Sequence, residues 1–212
     1  MAKNTVSKLS NAFSTGGGGA NFEQRVQAMF LLSLLVDGFC PAMEERTKRV
    51  CFQAKCIGFD VDDLAVFTYR GQSEGKMLCQ IKHSITISER DSVFQEVISA
   101  AWSDFNKEQF DREQDKIALV TAQIATGSQQ ALRFLYAQAW AAADENQFRD
   151  RVYLGNFSNA DNRRVLNAIK TCISNASDHE PTDREMWQFC KCFMLLLSDM
   201  DCKESINRTL SA

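Results

Sequence analysis

Residues 63–82, DLAVFTYRGQSEGKMLCQIK, decide the fold because they contain two strand patterns separated by a turn. The first pattern, residues 64–69, is mostly apolar and rich in strand-forming residues. In the second, residues 76–82, apolar and polar residues alternate, so Gln80 and Lys82 share one face of the strand. Glycine and polar residues between the two patterns favour a turn. The sequence therefore predicts an antiparallel hairpin.

The residues before the hairpin predict a helix and a further strand. Apolar residues recur at helical spacing from Asn21 to about Val36, with Asn21 placed to cap the first turn. Glu23 and Gln27 share the other face of this helix. Residues 50–57 are rich in strand formers, and an acidic turn joins them to the hairpin.

The residues after the hairpin predict a second helix and a crossover strand. Ser92 and Gln95 have the spacing of a capping box, and an apolar stripe continues from there to Phe105. Residues 116–122 form a short apolar strand pattern after a charged connector. A crossover of this length places that strand beside an earlier one in the same sheet. The predicted order is helix, three strands, helix, strand, which is an α/β class.

The rest of the chain is predicted to be mainly helical. Helical patterns follow Gly127, with a brief strand at residues 151–154 as the exception. Pro181 precedes a capped helix start, and the apolar pattern of that last helix continues toward Asp201.

Composition narrows the class of protein. The formal net charge of −3 and pI of about 5.5 argue against broad, charge-driven coating of nucleic acid, so any nucleic acid needs a local basic patch or outside help. The eight cysteines lack zinc-finger spacing and are typical of buried thiols in a reducing cytosol. No signal-peptide or membrane-spanning pattern is visible, so we expect a cytoplasmic protein without membrane contact.

The hairpin brings together groups suited to phosphodiester hydrolysis. That reaction needs acidic ligands for a hard cation, a means of activating water and a positive group near the phosphate. A turn centred near Ser73 would place Asp63, at the head of one strand, near Lys82 at the end of the other. Gln80 lies on the same face as Lys82, and Glu23 is an acid on the preceding helix.

Simpler explanations exist for each residue. Gln-x-Lys is common on solvated sheet faces, and Glu23 suits a helix N-terminus by its charge alone. Asp60 and Asp62 are alternates to Asp63, because a register shift of one residue exchanges the faces of a strand. Basic residues at four positions are candidates for a DNA groove or are scattered surface charge: Lys48, Arg49, Lys55 and Arg70.

Four segments together resemble a known group of proteins. These segments are STGGGG at 14–19, FEQRVQA at 22–28, GFDVDDL at 58–64 and QIK at 80–82. They are similar to the amino-terminal nuclease domain of bacterial antiphage effectors, including CBASS effector nucleases and antiviral STAND NTPases. That domain belongs to the restriction-endonuclease-like PD-(D/E)XK superfamily, and the resemblance covers about residues 14–125.

The resemblance implies a role for each site residue. Its helix acid falls on Glu23, its metal-binding aspartate on Asp63, and its (D/E/Q)-x-K pair on Gln80 and Lys82. Asp63 and the main-chain carbonyl of Ile81 would hold the metal, with Gln80 as a neutral ligand in place of the usual acid. Lys82 would position the attacking water or stabilise the phosphate, and Glu23 would bind a second ion or orient water.

The resemblance also implies a fold, a domain organisation and a reaction. We expect a restriction-endonuclease-like core with additional C-terminal helices: a flexible lead-in at 1–20, the nuclease core at 21–155 and a helical extension at 156–212. We expect a Mg²⁺-dependent endonuclease, with Mn²⁺ as a substitute, that cuts double-stranded DNA with little sequence specificity. We also expect a homo-oligomer and an attached or partner sensor or ATPase domain. The alternative is a catalytically silent DNA-binding or oligomerisation module of the same fold.

Overall fold

A mixed sheet of five strands forms the centre of the computed structural model, which describes residues 17–154, 158–177 and 179–200. In the described chain, helices pack on both faces of this sheet. The elements in chain order are α1 (Gly17–Leu35), β1 (Arg46–Phe52), β2 (Leu64–Arg70), β3 (Ser73–Ser84), α2 (Ser92–Phe105), β4 (Lys116–Gln123), α3 (Thr126–Ala141), α4 (Glu145–Tyr153), α5 (Ala160–Ala176), α6 (Asp183–Cys192) and β5 (Phe193–Leu197).

The strands lie in the sheet in the order in which they occur in the chain, β1-β2-β3-β4-β5. The first three are antiparallel neighbours, whereas β4 runs parallel to β3 and β5 runs parallel to β4. This confirms the α/β class, the hairpin and the predicted order of helix, three strands, helix and strand.

A tight turn joins β2 to β3. Arg70 pairs with Ser73, so only Gly71 and Gln72 lie between the two strands. Gly71 has a φ of 63°, a left-handed conformation that glycine adopts without steric cost. The turn therefore lies earlier than the predicted centre near Ser73, which changes the residues that face each other across the hairpin.

Each face of the sheet has its own core. On one face, α1 buries Phe22, Val26 and Phe30 against Met77 and Cys79 of β3 and neighbouring strand residues. On the other face, residues of α2, α3, α5 and α6 pack on the alternate strand residues, which are Ala65, Leu78, Ile117, Leu119, Phe193 and Leu195. Strand alternation thus divides the apolar residues into two layers. Among the described residues, the buried helix residues of the first layer all come from α1.

Helix α1 begins at Gly17, earlier than the predicted start at Asn21. Residues 17–20, which we assigned to the lead-in, are therefore helical, and residues 1–16 lie outside the described residues. Glycine is a poor helix former, but the burial of Phe22, Val26 and Phe30 supplies the packing that stabilises the helix.

The strand predicted at residues 50–57 lies earlier in the chain, at Arg46–Phe52. β1 ends at Phe52, because Gln53 adopts a left-handed conformation with φ 52°, and Ala54–Ile57 form a 3-10 helix. The main-chain N–H of Ala54 donates to the carbonyl of Asp62 at 2.7 Å, and the Ala54 side chain is fully buried. This compact loop connects β1 to the start of β2.

Three local predictions were wrong in the remaining elements. The N-cap of α2 is Asp91, whose side chain accepts from the N–H of Phe94, so Ser92 and Gln95 form no capping box. Residues 151–153 belong to α4 and are not a strand. The last helix, which Thr182 and Glu185 cap as predicted, stops at Cys192, and residues 193–197 form β5 instead of continuing it. The segment 156–212 is therefore not wholly helical, since it supplies a strand of the central sheet.

The seven described cysteines are free thiols, and five of them are buried, as the sequence predicted; Cys51 is partly exposed and Cys56 is exposed. Within the described ranges, no helix has both the length and the apolar character needed to cross a membrane.

Candidate active site

The carboxylate of Asp63 lies at the centre of a small polar cluster where β2 begins. Its Oδ2 accepts hydrogen bonds from Gln80 Nε2 and from the main-chain N–H of Ile81, both at 2.6 Å. Lys82 Nζ lies 3.8 Å from the same oxygen. The structure thus brings together Asp63 and both polar residues of the QIK segment, as the sequence predicted.

The hairpin register explains this contact. Leu64 pairs with Cys79, so Asp63, the residue just before β2, lies beside Gln80 and not directly opposite Lys82. The predicted turn centre near Ser73 was wrong, because the two residues of the turn are Gly71 and Gln72. Lys82 still reaches Asp63 because it projects from the same face as Gln80.

The main-chain carbonyl of Ile81 lies on the side of β3 that faces this cluster. The N–H and C=O of a strand residue point to the same edge, and the N–H of Ile81 donates to Asp63. β2 begins at Leu64, so in this register no β2 residue pairs with Ile81. The carbonyl is therefore directed beyond the end of β2, toward the space beside Asp63.

Helix α1 adds a second carboxylate, that of Glu23. Gln27 Nε2 donates both to Glu23 Oε1 at 2.9 Å and to the main-chain carbonyl of Asp63 at 3.2 Å. Gln27 therefore links α1 to the first residue of the cluster on the sheet. The sequence placed Gln27 on the same helix face as Glu23 but did not identify this linking role; the spacing of four residues was the available signal.

A buried acid on α2 fixes the loop that leads to Asp63. Asp104 is fully buried, and its carboxylate accepts from the main-chain N–H groups of Asp60 and Val61 at 2.8 to 3.0 Å. Lys107 Nζ lies 2.6 Å from Asp104 Oδ1 and compensates its charge. Nothing in the sequence pattern of α2 identified Asp104, because its contacts are with residues distant in the chain.

Burial is the largest cause that raises the pKa of both carboxyls, Asp63 and Glu23. For Asp63, burial is the largest cause; the Ile81 N–H and the Lys82 charge oppose it, and the Asp62 charge adds to it. For Glu23, burial again leads in raising the pKa, the charge of Asp63 raises it further, and Lys82 and Gln27 lower it. A cation would be favourable beside two acids whose ionisation is made costly by burial and by neighbouring negative charge.

The two alternate aspartates have different surroundings. Asp60 Oδ2 accepts from Ser103 at 2.6 Å and pairs with Lys107 at 2.8 Å, and these contacts lower its pKa. Asp60 is therefore held against α2 and away from Gln80. Asp62 adds negative charge near the cluster, but the aspartate that contacts Gln80 and Lys82 is Asp63.

The four basic residues considered for a DNA groove have mixed surroundings. Lys48 pairs with Glu74, Arg70 lies 3.6 Å from Glu44, and the Arg49 guanidinium lies over the Phe67 ring at 3.8 Å from its centre. Lys55 is exposed and lines an open cavity of about 620 Å³ together with Asp60 and residues of α2 and α5. These contacts do not single out a continuous basic groove.

The donor set suits a hard cation with few protein ligands. The described residues contain no group of three or more His, Cys, Asp or Glu side chains that could hold a metal. The cluster instead offers two carboxylates, the Gln80 amide and the Ile81 carbonyl, all oxygen donors of the kind that Mg²⁺ accepts, usually with several waters. The Gln80, Ile81 and Lys82 contacts of the Asp63 carboxylate all reach the same oxygen, Oδ2.

Comparison with known proteins adds no relative: no family model matches the chain, and neither does any curated protein or solved structure.

Proposed function

We propose that this chain is a metal-dependent endonuclease that hydrolyses the phosphodiester bonds of double-stranded DNA with little sequence specificity. The observation that carries the proposal is the contact of one carboxylate, that of Asp63, with Gln80, the Ile81 N–H and Lys82. The element order, from α1 through β4, is also the order expected for a restriction-endonuclease-like core.

Each residue of the cluster has a separate role in the proposed hydrolysis. Asp63, the Ile81 carbonyl and Glu23 would hold Mg²⁺ or Mn²⁺, with the Gln80 amide oxygen as a neutral ligand. When bound, the ion polarises a phosphate oxygen and makes water a better nucleophile at neutral pH. Lys82, which is 30% exposed, presents a positive charge to the scissile phosphate and offsets the negative charge that develops there. Gln27 and Asp104 position the two acids without touching the substrate.

Plasmid cleavage tests the proposal. Purified protein is incubated with supercoiled DNA and Mg²⁺ or Mn²⁺, and Asp63→Ala and Lys82→Ala are compared with wild type. Asp150→Asn and Lys170→Met, changes on α4 and α5, are the matched controls because they remove the same kinds of charge at positions outside the cluster. We expect cleavage by wild type and controls and a loss of at least about 100-fold for the site variants. Equal cleavage by all five proteins would contradict the assignment.

A second candidate is a catalytically silent DNA-binding or oligomerisation module of the same fold. The observation that favours it is the Gln80 amide, which donates to Asp63 and supplies no negative charge, in a chain with a net charge of −3. DNA binding that is measurable while the DNA remains uncut at all metal concentrations supports this candidate over the endonuclease.

The setting of the endonuclease is part of the same proposal. We propose a cytoplasmic effector domain of a bacterial antiphage defence protein, controlled by an attached or partner sensor or ATPase domain. Cleavage by the chain alone at nanomolar concentration, with no added partner, would contradict that control.

A further inference from the structure

Helix α1 has a second apolar face that no described part of the chain covers. Its inner face buries Phe22, Val26 and Phe30 against the sheet. Its outer face and the residues that follow carry five large apolar residues with high exposure: Leu31 37%, Leu32 61%, Leu35 77%, Val36 73% and Phe39 60%. We call these five residues the α1 patch.

The composition of α1 explains why the patch is unusual. A surface helix of a globular protein normally has charged or polar residues on the side away from the core. Residues 28–36 of this chain include no charged residue, and their one polar residue, Ser33, bonds to Phe30 O and Thr47 Oγ1. A contiguous apolar surface of several hundred Å² on a protein is typically a binding surface.

We propose that the α1 patch is the interface of a symmetric dimer, in which α1 packs antiparallel on α1 of a second copy of this chain. The size of the patch supports this occupant. At roughly 150 to 200 Å² of surface for a large apolar residue, the exposed fractions amount to about 500 Å² on each copy. A standard dimer interface buries about 800 Å² on each partner, of which about 65% is apolar, so it needs about the same apolar area.

The arrangement of residues along α1 is self-complementary. If the twofold axis passes between Leu32 and Leu35, each of these residues faces the other across the interface. Ala28 and Leu31, which lie one turn before Leu32 and Leu35, are also exposed on this side of α1.

The charges beside the patch are compatible with a second copy. Asp37 and Arg46 pair with each other at 2.8 Å, and the Arg46 guanidinium lies 5.1 Å from the centre of the Phe39 ring. The two charges next to Phe39 therefore compensate each other within one copy. Both groups are exposed and would lie at the rim, where water still reaches them.

Dimerisation through α1 also fixes the distance between the two copies of Glu23. With a rise of 1.5 Å per residue, Glu23 lies roughly 15 Å along α1 from the proposed axis, so the two copies lie roughly 30 Å apart in that direction. The proposal does not depend on nuclease activity, and its test measures mass and not cleavage.

Sedimentation velocity of the full chain between about 1 and 100 µM tests the dimer. We expect wild type to have twice the 23.9 kDa mass of one chain at the higher concentrations. Leu35→Lys would place two like charges in the apolar contact and should raise the dissociation constant by about 100-fold or more. The matched control is Leu154→Lys, an exposed leucine, 53% accessible, outside the patch.

Folding and the other occupants are controlled in the same experiment. Circular dichroism and thermal unfolding show whether Leu35→Lys is folded; if it is not, Val36→Ser replaces it and should also weaken the dimer. A monomeric wild type at 100 µM overturns the proposal and leaves the patch to residues 1–16, residues 201–212 or a different protein. If both Leu35→Lys and Val36→Ser fold and the dimer is unchanged, the proposal is overturned as well, because the interface of that dimer would lie elsewhere.

Discussion

Replacing Gln80 by glutamate tests the geometry of the cluster most directly. Gln80 Nε2 donates to Asp63 Oδ2 at 2.6 Å, and Gln80 is only 7% exposed. Gln80→Glu removes the donor and sets a second carboxylate against the first. At a separation of about 4 Å and an effective dielectric constant of about 20, that repulsion is about 4 kcal/mol.

Protonation limits this cost and makes it depend on pH. Protonating a glutamate whose unfolded pKa is about 4.3 costs about 4 kcal/mol of free energy at pH 7 and about 1 kcal/mol at pH 5. The protonated carboxyl then donates to Asp63 as the amide did. Repulsion raises the folded pKa of the new carboxyl above its unfolded value, so the loss of stability is largest at high pH and disappears as pH falls toward 4.

Thermal unfolding in EDTA measures the effect, with Gln72→Glu in the exposed hairpin turn as control. For a chain of 212 residues, about 4 kcal/mol corresponds to a melting temperature about 10 °C lower at pH 7. We expect a drop of only a few degrees at pH 5 and almost none for the control. Excess Mg²⁺ or Mn²⁺ should restore the variant more than it raises wild type, because the added charge binds the ion. Equal melting temperatures for Gln80→Glu and wild type at pH 7, with no response to pH or metal, would refute the adjacency of Gln80 and Asp63.

Four further predictions concern the same site. Since the pKa values of Glu23 and Asp63 are raised above their usual 4.5 and 3.8, cleavage should rise with pH through a window above those values, and higher metal concentration should move that window to lower pH, as pH profiles of plasmid cleavage at several Mn²⁺ concentrations will show. Because the pKa values of these carboxyls are higher in the folded state, the free energy of unfolding in EDTA should fall as pH rises through that window. Asp63→Asn should flatten this dependence, measured by denaturant unfolding at pH 4 to 7. Asp104→Ala leaves two main-chain N–H groups and Lys107 without their buried acceptor, so we expect a loss of about 3 to 5 kcal/mol in urea unfolding; a loss below about 1 kcal/mol would contradict the role of Asp104 in holding the loop. Gln27→Leu should lower cleavage by about 10-fold with little change in melting temperature, whereas unchanged cleavage would show that Glu23 needs no positioning.

The sequence predicted the hairpin and its site because both depend on local rules. The alternation in residues 76–82 determines which residues share a face, and Gly71 provides the turn that pairs the two strands. Asp63 and Gln80 follow from that pairing once the register is known. The register itself was wrong by a short offset, because several residues from Arg70 to Gly75 are suitable for a turn and periodicity does not choose among them.

Contacts between distant elements could not be predicted in this way. Gln27 and Asp104 act on Asp63 and its loop from α1 and α2, and only the docking of those helices on the sheet brings them there. β5 was missed for a different reason. Residues 193–197 are a short continuous apolar run after a helix, and such a run is equally typical of a buried parallel strand and of a further helical turn.

The position of β5 limits where this chain can be shortened. β4 is paired on one side by β3 and on the other by β5, which comes some 70 residues later in the chain. An expression fragment that stops near residue 155, at the boundary suggested by the sequence, would leave the backbone N–H and C=O groups of β4 exposed beside apolar side chains. Such an edge recruits other strands, so we expect the fragment to form inclusion bodies. During synthesis, likewise, residue 197 must leave the ribosome before β5 can pair with β4 and complete the sheet.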